Sequence, residues 1–230
     1  MKKHIPNLLT CGNLACGCIG IDLAYQGNLV WAAYMIGFAA IFDFLDGFVA
    51  RLLKVSSPIG KELDSLADMV TFGVLPGMMM LQMLQNTSLE IPVIYLAFLI
   101  PIFSALRLAK FNVDTRQSDS FLGVPTPANA IFIGSFPLVQ KFAPQYSYLI
   151  ENQLLLIIVT IVMSLLLVIE IRLIALKFKD YSWINNVFRY IFIASAIILA
   201  VALQYLAIPL IIMMYILLSI IEQTFTLNNR

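Results

Sequence analysis

Eight apolar runs, each close to the length needed to cross a bilayer, fill this chain almost end to end. They cover residues 6–25, 29–53, 64–85, 91–111, 126–142, 152–177, 187–206 and 208–225. The hydrocarbon core of a bilayer is about 30 Å thick, which takes roughly 20 residues of helix. In lipid every backbone N–H and C=O must be satisfied inside the protein, so runs of this length are expected as helices. Composition agrees: 61% of side chains are hydrophobic and 12% charged, against about 25% charged in an ordinary globular domain. Fourteen Lys and Arg against thirteen Asp and Glu leave a net charge of +1. That balance excludes the basic excess of a nucleic-acid-binding chain, so no nucleic-acid partner is expected. The expected fold class is all-α, a polytopic membrane helix bundle.

Two details bear on the number of spans. The last two runs are divided only at Leu206-Ala207-Ile208-Pro209, where proline suits either a hairpin turn or a kink. The fifth run is short and contains Gly134 and Pro137. Eight spans are expected, and six if one hairpin is lost. Cys11, Cys16 and Cys18 form no C-x-x-C pair and read as small apolar packing residues on the first helix. Lys2 and Lys3 precede that run as in a signal peptide. Asn7, Thr10 and Asn13 interrupt it, however, and no A-x-A site ends it, so a retained first span is expected.

The basic residues vote on orientation. With the N-terminus in the cytoplasm and alternating crossings, the inner ends collect Lys2, Lys3, Arg51, Lys54, Lys61, Arg107, Lys110, Arg116, Arg172, Lys177, Lys179, Arg189 and Arg230. Lys141 alone falls outside. This positive-inside bias predicts an N-in, C-in protein of the cytoplasmic membrane. The longest polar stretch, Asn112 to Ser120, becomes a cytoplasmic loop.

The acidic residues are distributed unevenly. Of eight aspartates, four lie between positions 43 and 68: Asp43, Asp46, Asp64 and Asp68. Asp43 and Asp46 are three apart, with Gly47 and Ala50 continuing the same helical stripe. Asp64 and Asp68 are four apart on the next helix, one turn after Gly60. The connector Val55-Ser56-Ser57-Pro58-Ile59 has turn composition. Two antiparallel helices joined there would turn four carboxylates toward one another near the cytoplasmic face. A carboxylate at mid-membrane costs roughly 2.5–3.5 kcal/mol, and clustering adds repulsion that shared cations or protons relieve. An all-oxygen set with no Cys or His nearby favours Mg²⁺ or Mn²⁺. Independently solvated helix-end aspartates are the blander account, and the depth of Asp43 argues against it.

The pattern Asp43-x2-Asp46-Gly47-x2-Ala50-Arg51-x8-Gly60-x3-Asp64-x3-Asp68 resembles the CDP-alcohol phosphotransferase signature at every specified position. That resemblance implies a membrane enzyme with a six-helix core, usually a homodimer, which transfers a phosphatidyl-type group from a CDP-lipid to an alcohol and releases CMP. It also implies two divalent cations held by Asp43, Asp46, Asp64 and Asp68, with Asp68 as general base. The single membrane domain would span 1–230, with a catalytic core of about 1–180 and an added hairpin at about 187–225. Asn7, Asp46, Gly47, Ala50, Arg51 and Gly60 are the expected CDP-lipid contacts. Arg51 suits bidentate phosphate recognition. Lys54 and Lys61 read equally as electrostatic helpers or as membrane anchors. Asn7, Thr10 and Asn13 recur on one face of the first helix, placed to hydrogen-bond the cytidine or its phosphates; capping of a helix by Asn7 is the alternative.

The acceptor must be read elsewhere. Arg107-Leu108-Ala109-Lys110-Phe111-Asn112 and Phe121-Leu122-Gly123-Val124-Pro125-Thr126-Pro127 resemble stretches of the CDP-diacylglycerol-type phosphatidylserine synthases, with Lys110 and Val124 as departures. The implied substrates are CDP-diacylglycerol and L-serine. Arg107 and Lys110 suit a clamp on the serine carboxylate, or serve as positive-inside anchors, and Asn112 would help shape the pocket. The alternative within the same family is another acceptor, as in the phosphatidylglycerophosphate synthases, and it is disfavoured because the Lys-rich segment usual in those enzymes does not occur here. A divalent cation transporter is the alternative of a different class, disfavoured because the carboxylates cluster toward one face beside Arg51 and Lys61. Gly73-x3-Gly77 permits close helix approach, either within the core or at a dimer surface.

Overall fold

A computed structural model describes residues 4–87, 91–113, 123–174 and 182–228. Lys2, Lys3, Arg116, Lys177, Lys179 and Arg230 lie outside the described residues, as do Phe121 and Leu122 and the polar stretch beyond Val113. Among the described residues the architecture is helical and contains no β-sheet. The long elements are α1 (His4–Tyr25), α2 (Leu29–Leu53), α3 (Pro58–Gln85), α4 (Pro92–Val113), α5 (Thr126–Phe142), α6 (Gln153–Val168), α7 (Trp183–Leu203) and α8 (Ala207–Asn228). Among the described residues, four stretches are long and apolar enough to cross a membrane: α1, α3, α4 and the segment Asn186–Thr224. A fifth arises if Pro144–Ile150 and α6, bent by 69°, count as one.

The segment Asn186–Thr224 does not run straight. Gln204 takes a left-handed φ of 47°, and the Phe192 and Tyr215 rings approach to 5.4 Å across the break. The chain therefore folds back as a hairpin, with its turn at Gln204–Leu206. Pro209 sits early in α8, where no intrahelical donor is required of it.

Helix α6 departs from the expected run of 152–177. It ends at Val168, and Ile169 is already extended. The extended strip is held laterally. Ile171 and Leu166 carbonyls accept from the Gly123 and Val124 N–H groups, while Gln223 and Ser219 of α8 accept from Arg172 and Ile174. Polar Glu170 and Arg172 end the apolar run, and tertiary hydrogen bonds replace those that further helix would have made.

Close approach at small residues sets the packing order. Helices α1 and α2 are antiparallel: Gly12 lies against Phe42 and Gly20 against Met35. Helices α1 and α3 are parallel, with Gly17 against Thr71 and Gly20 against Leu75. Helices α3 and α4 are antiparallel, with Gly73 against Ser104 and Gly77 against Pro101. Gly73 and Gly77 thus serve packing inside the chain. Helix α3 is central, and its Phe72, Leu75, Met79, Met80 and Leu84 are fully buried. Leu8, Trp31, Phe44, Leu52, Leu106 and Val201 project outward as a hydrophobic surface. The cysteines correct their expectation in part. All three are on α1, but Cys11 and Cys18 are exposed, and Cys16 packs against the core.

Candidate active site

The turn between α2 and α3 is built locally. Lys54 caps α2 in the left-handed conformation (φ 52°), its N–H reaching the Arg51 carbonyl, while the Val55 N–H reaches Ala50. Such a cap satisfies carbonyls that the helix end leaves free. Ser57 then opens α3: its Oγ accepts the Gly60 N–H at 3.0 Å, and Pro58 occupies the first turn. These signals reverse the chain within a few residues and set the two aspartate pairs against each other.

One carboxylate oxygen from each of Asp43, Asp64 and Asp68 lies within 4.8 Å of the others. The structure thus gathers three of the four aspartates into one group. Asp46 stands beside them on its own partner. It is buried, and it accepts a 2.5 Å hydrogen bond from the Thr10 hydroxyl of α1. Asn13, one turn along α1, donates its Nδ2 to Asp68 at 3.1 Å, and its own carbonyl accepts from Thr71. The polar face of α1 is therefore real, but its described partners are the carboxylates of α2 and α3. Asn7 lies inside α1, which begins at His4 among the described residues, so it does not cap the helix. It lies instead against Gly60, where an added Cβ would approach Asn7 Oδ1 to 3.0 Å.

A cavity of about 190 Å³ adjoins the carboxylates. Asn7, Asp46, Gly47, Ala50 and Gly60 line it, together with Pro6, Thr10, Ser57, Lys61 and Asp64. Five of the six expected CDP-lipid contacts thus share one wall. Arg51 is absent from the lining, though its Nη2 lies 4.0 Å from where a Gly47 Cβ would stand. Lys61 faces this cavity and also donates to the Asn112 carbonyl at 3.1 Å.

The expected acceptor residues separate. Arg107 is buried, with Asp68 as a charge that acts on it, and its Nε finds no hydrogen-bond partner. Lys110 is exposed. Asn112 donates to Ser65 Oγ at 2.9 Å and so ties α4 to α3. Three positions on a helix subtend about 300°, and here that step crosses the boundary between core and surface.

Ser56 and Ser57, expected only as turn residues, line the cavity, and the π-helical turn Met69–Val74 that follows Asp68 was not expected from sequence. Such turns insert one residue into a helix and often stand at functional sites. Nothing in the run Met69-Val70-Thr71-Phe72-Gly73-Val74 announces it.

The donor set fits a hard divalent cation. At an effective dielectric near 20, unit charges within this separation repel by about 3.5 kcal/mol or more per pair. Asp64 Oδ1 is buried without a hydrogen-bond partner, as a ligand atom would be. The group contains oxygen donors only, which suits Mg²⁺ or Mn²⁺.

Comparison with known proteins agrees with this chemistry. The family model described as CDP-alcohol phosphatidyltransferase matches residues 3–168. The chain is similar to the CDP-diacylglycerol–serine O-phosphatidyltransferase of Helicobacter pylori, 32% identical over 88% of this chain and 84% of that one. The protein of the same name from Bacillus subtilis is 36% identical over 74% of this chain and 89% of its own length. The one from Methanocaldococcus jannaschii is 31% identical over 90% and 88%, respectively.

Proposed function

This chain belongs to the CDP-alcohol phosphatidyltransferase family, and from that premise we propose that it transfers a phosphatidyl group from CDP-diacylglycerol to the hydroxyl of L-serine. The products are phosphatidylserine and CMP. The observation that carries the reading is the carboxylate group of Asp43, Asp64 and Asp68 beside a cavity walled by the small residues Gly47, Ala50 and Gly60. Relatives named as serine O-phosphatidyltransferases support the choice of acceptor.

Asp43, Asp64 and Asp68, with Asp46 alongside, would hold two divalent cations. Bound there, Mg²⁺ or Mn²⁺ supplies neutralisation of pyrophosphate charge and stabilisation of the leaving CMP. The chain's own residues do the rest. Asn7 and the Gly47–Ala50 stripe seat the cytidine-phosphate end, and Arg51 grips a phosphate from the rim. Asp68, oriented by Asn13, takes the proton of the serine hydroxyl. The serine oxygen bonds to the lipid-side phosphorus as the pyrophosphate P–O bond breaks and CMP departs with that electron pair. Arg107 pairs with the serine carboxylate, and Lys110 and Asn112 contribute from the rim.

The same reading places eight crossings in the cytoplasmic membrane, N-in and C-in, with the site facing the cytoplasm and the chain a homodimer. The positive-inside distribution supports the orientation, and the family resemblance supports the dimer. The test is direct. Purified protein in mixed micelles, given CDP-diacylglycerol and Mn²⁺ or Mg²⁺, should release CMP with serine and not with glycerol 3-phosphate or inositol. Equal rates with either of those alcohols would overturn the acceptor assignment.

A further inference from the structure

Buried polar atoms without partners are rare in folded proteins, and each calls for an explanation. Among the described residues, and apart from Ser164 on α6, they fall into two sets. Asn13 Oδ1 and Asp64 Oδ1 belong to the carboxylate site. The second set is Ser104 Oγ and Arg107 Nε on α4, with Thr126 Oγ1 and both amide atoms of Asn129 on α5.

The helices that carry the two pairs both pack on one feature. Ser104 packs directly on Gly73 of the π-helical turn, one helical turn from Arg107. Helix α5 packs on the same turn. That turn begins immediately after Asp68, and the antiparallel register of Gly73 on Ser104 and Gly77 on Pro101 brings Arg107 level with its first residues. Thr126 and Asn129 share the first turns of α5 and are both 0% exposed. A neutral carboxamide offers two donors and two acceptor positions. Leaving all of them unmet in an apolar interior is costly, which no packing role explains.

We propose that Thr126 and Asn129 complete, with Ser104 and Arg107, a closed pocket for the small zwitterionic acceptor beside Asp68. A guanidinium suits the acceptor's carboxylate, and the amide and hydroxyl oxygens suit its ammonium group. Asn129 and Thr126 are specificity-determining residues in this assignment, which rests on the proposed amino-acid acceptor. Packing against the π turn ties the pocket to the base, so occupancy and attack geometry are set together.

Stability and kinetics together test the pocket. Asn129→Leu replaces an unpartnered amide by an apolar group of similar size. A structural role predicts a lower Tm. The pocket predicts an unchanged or raised Tm without serine, a serine KM raised roughly tenfold or more, and a CDP-diacylglycerol KM within about twofold. Thr126→Val provides the same reading should the first variant not be recovered folded. A serine KM within about twofold of wild type, or both KM values rising together, overturns the pocket. The wild type is assayed first with serine. Absence of serine-dependent CMP release there sinks the acceptor reading itself, whereas normal wild-type turnover with an unmoved KM in the variants sinks only the pocket.

Discussion

Asn13 on α1 donates a 3.1 Å hydrogen bond to Asp68 on α3, across 55 positions of sequence. The same asparagine receives Thr71 of the π turn on its main-chain carbonyl, so the residue that orients Asp68 is anchored through its backbone. A carboxylate held in this way has a restricted set of positions from which to accept a proton. Asn13→Ala should therefore lower kcat by roughly 10–100-fold, the usual cost of losing a supporting hydrogen bond at such a site. The KM for CDP-diacylglycerol should move little. Steady-state CMP release separates the two parameters.

Asp68→Asn removes the base but keeps the shape. Turnover should fall by about 10²–10⁴-fold, while CDP-diacylglycerol still shifts the thermal unfolding of the variant. A near-normal rate in this variant would remove Asp68 from the proposed role.

Chelation tests the carboxylate group from another side. EDTA should abolish CMP release, and Mn²⁺ or Mg²⁺ should restore it. In Asp64→Asn the cation concentration for half-restoration should rise by roughly tenfold or more, because Asp64 Oδ1 is buried and has no other partner. Titration of activity against free cation reads this, and unchanged cation dependence would count against Asp64 as a ligand.

The cavity wall can be filled. Ala50 lines the space beside Asp46 and Gly60, so Ala50→Leu intrudes where the cytidine-phosphate end is placed. Overpacking of about 1–3 kcal/mol predicts a CDP-diacylglycerol KM raised roughly tenfold, with the serine KM largely spared. The opposite pattern would exchange the two substrate sites.

One prediction concerns stability alone. Gly123 has φ +73°, and an added Cβ would lie 2.5 Å from the Leu167 carbonyl oxygen. Its N–H also holds the extended strip after α6 by bonding to Ile171. Gly123→Ala meets both a disfavoured backbone region and a main-chain clash that no rotamer relieves. A loss of roughly 1–3 kcal/mol is expected, seen as a lower Tm in detergent micelles.

Much of the site was legible because its chemistry is local. Asp43 and Asp46, then Asp64 and Asp68, follow helical spacing, and the turn between them announces itself through Ser57 and Pro58. The face of Asn7, Thr10 and Asn13 was also visible, but its partners were not. Thr10 meets Asp46 and Asn13 meets Asp68 only because Gly12, Gly17 and Gly20 let α1 approach both α2 and α3. The division of Arg107 from Lys110 was hidden for a related reason. Two residues three apart share a helix face until a neighbour covers one of them.

The sequence alone determined that the chain is helical, since long apolar runs in lipid leave backbone groups no other internal partners. It also determined that four carboxylates gather near one turn, since spacings of three and four project side chains to one side. The tertiary structure decided which carboxylates form the group of three and which one pairs with Thr10. It also decided where α6 stops, that α7 and α8 fold back as a hairpin, and that buried polar atoms of α4 and α5 are left without partners. Those outcomes depend on helix register, and register is set by the summed packing of side chains far apart in sequence rather than by any local signal.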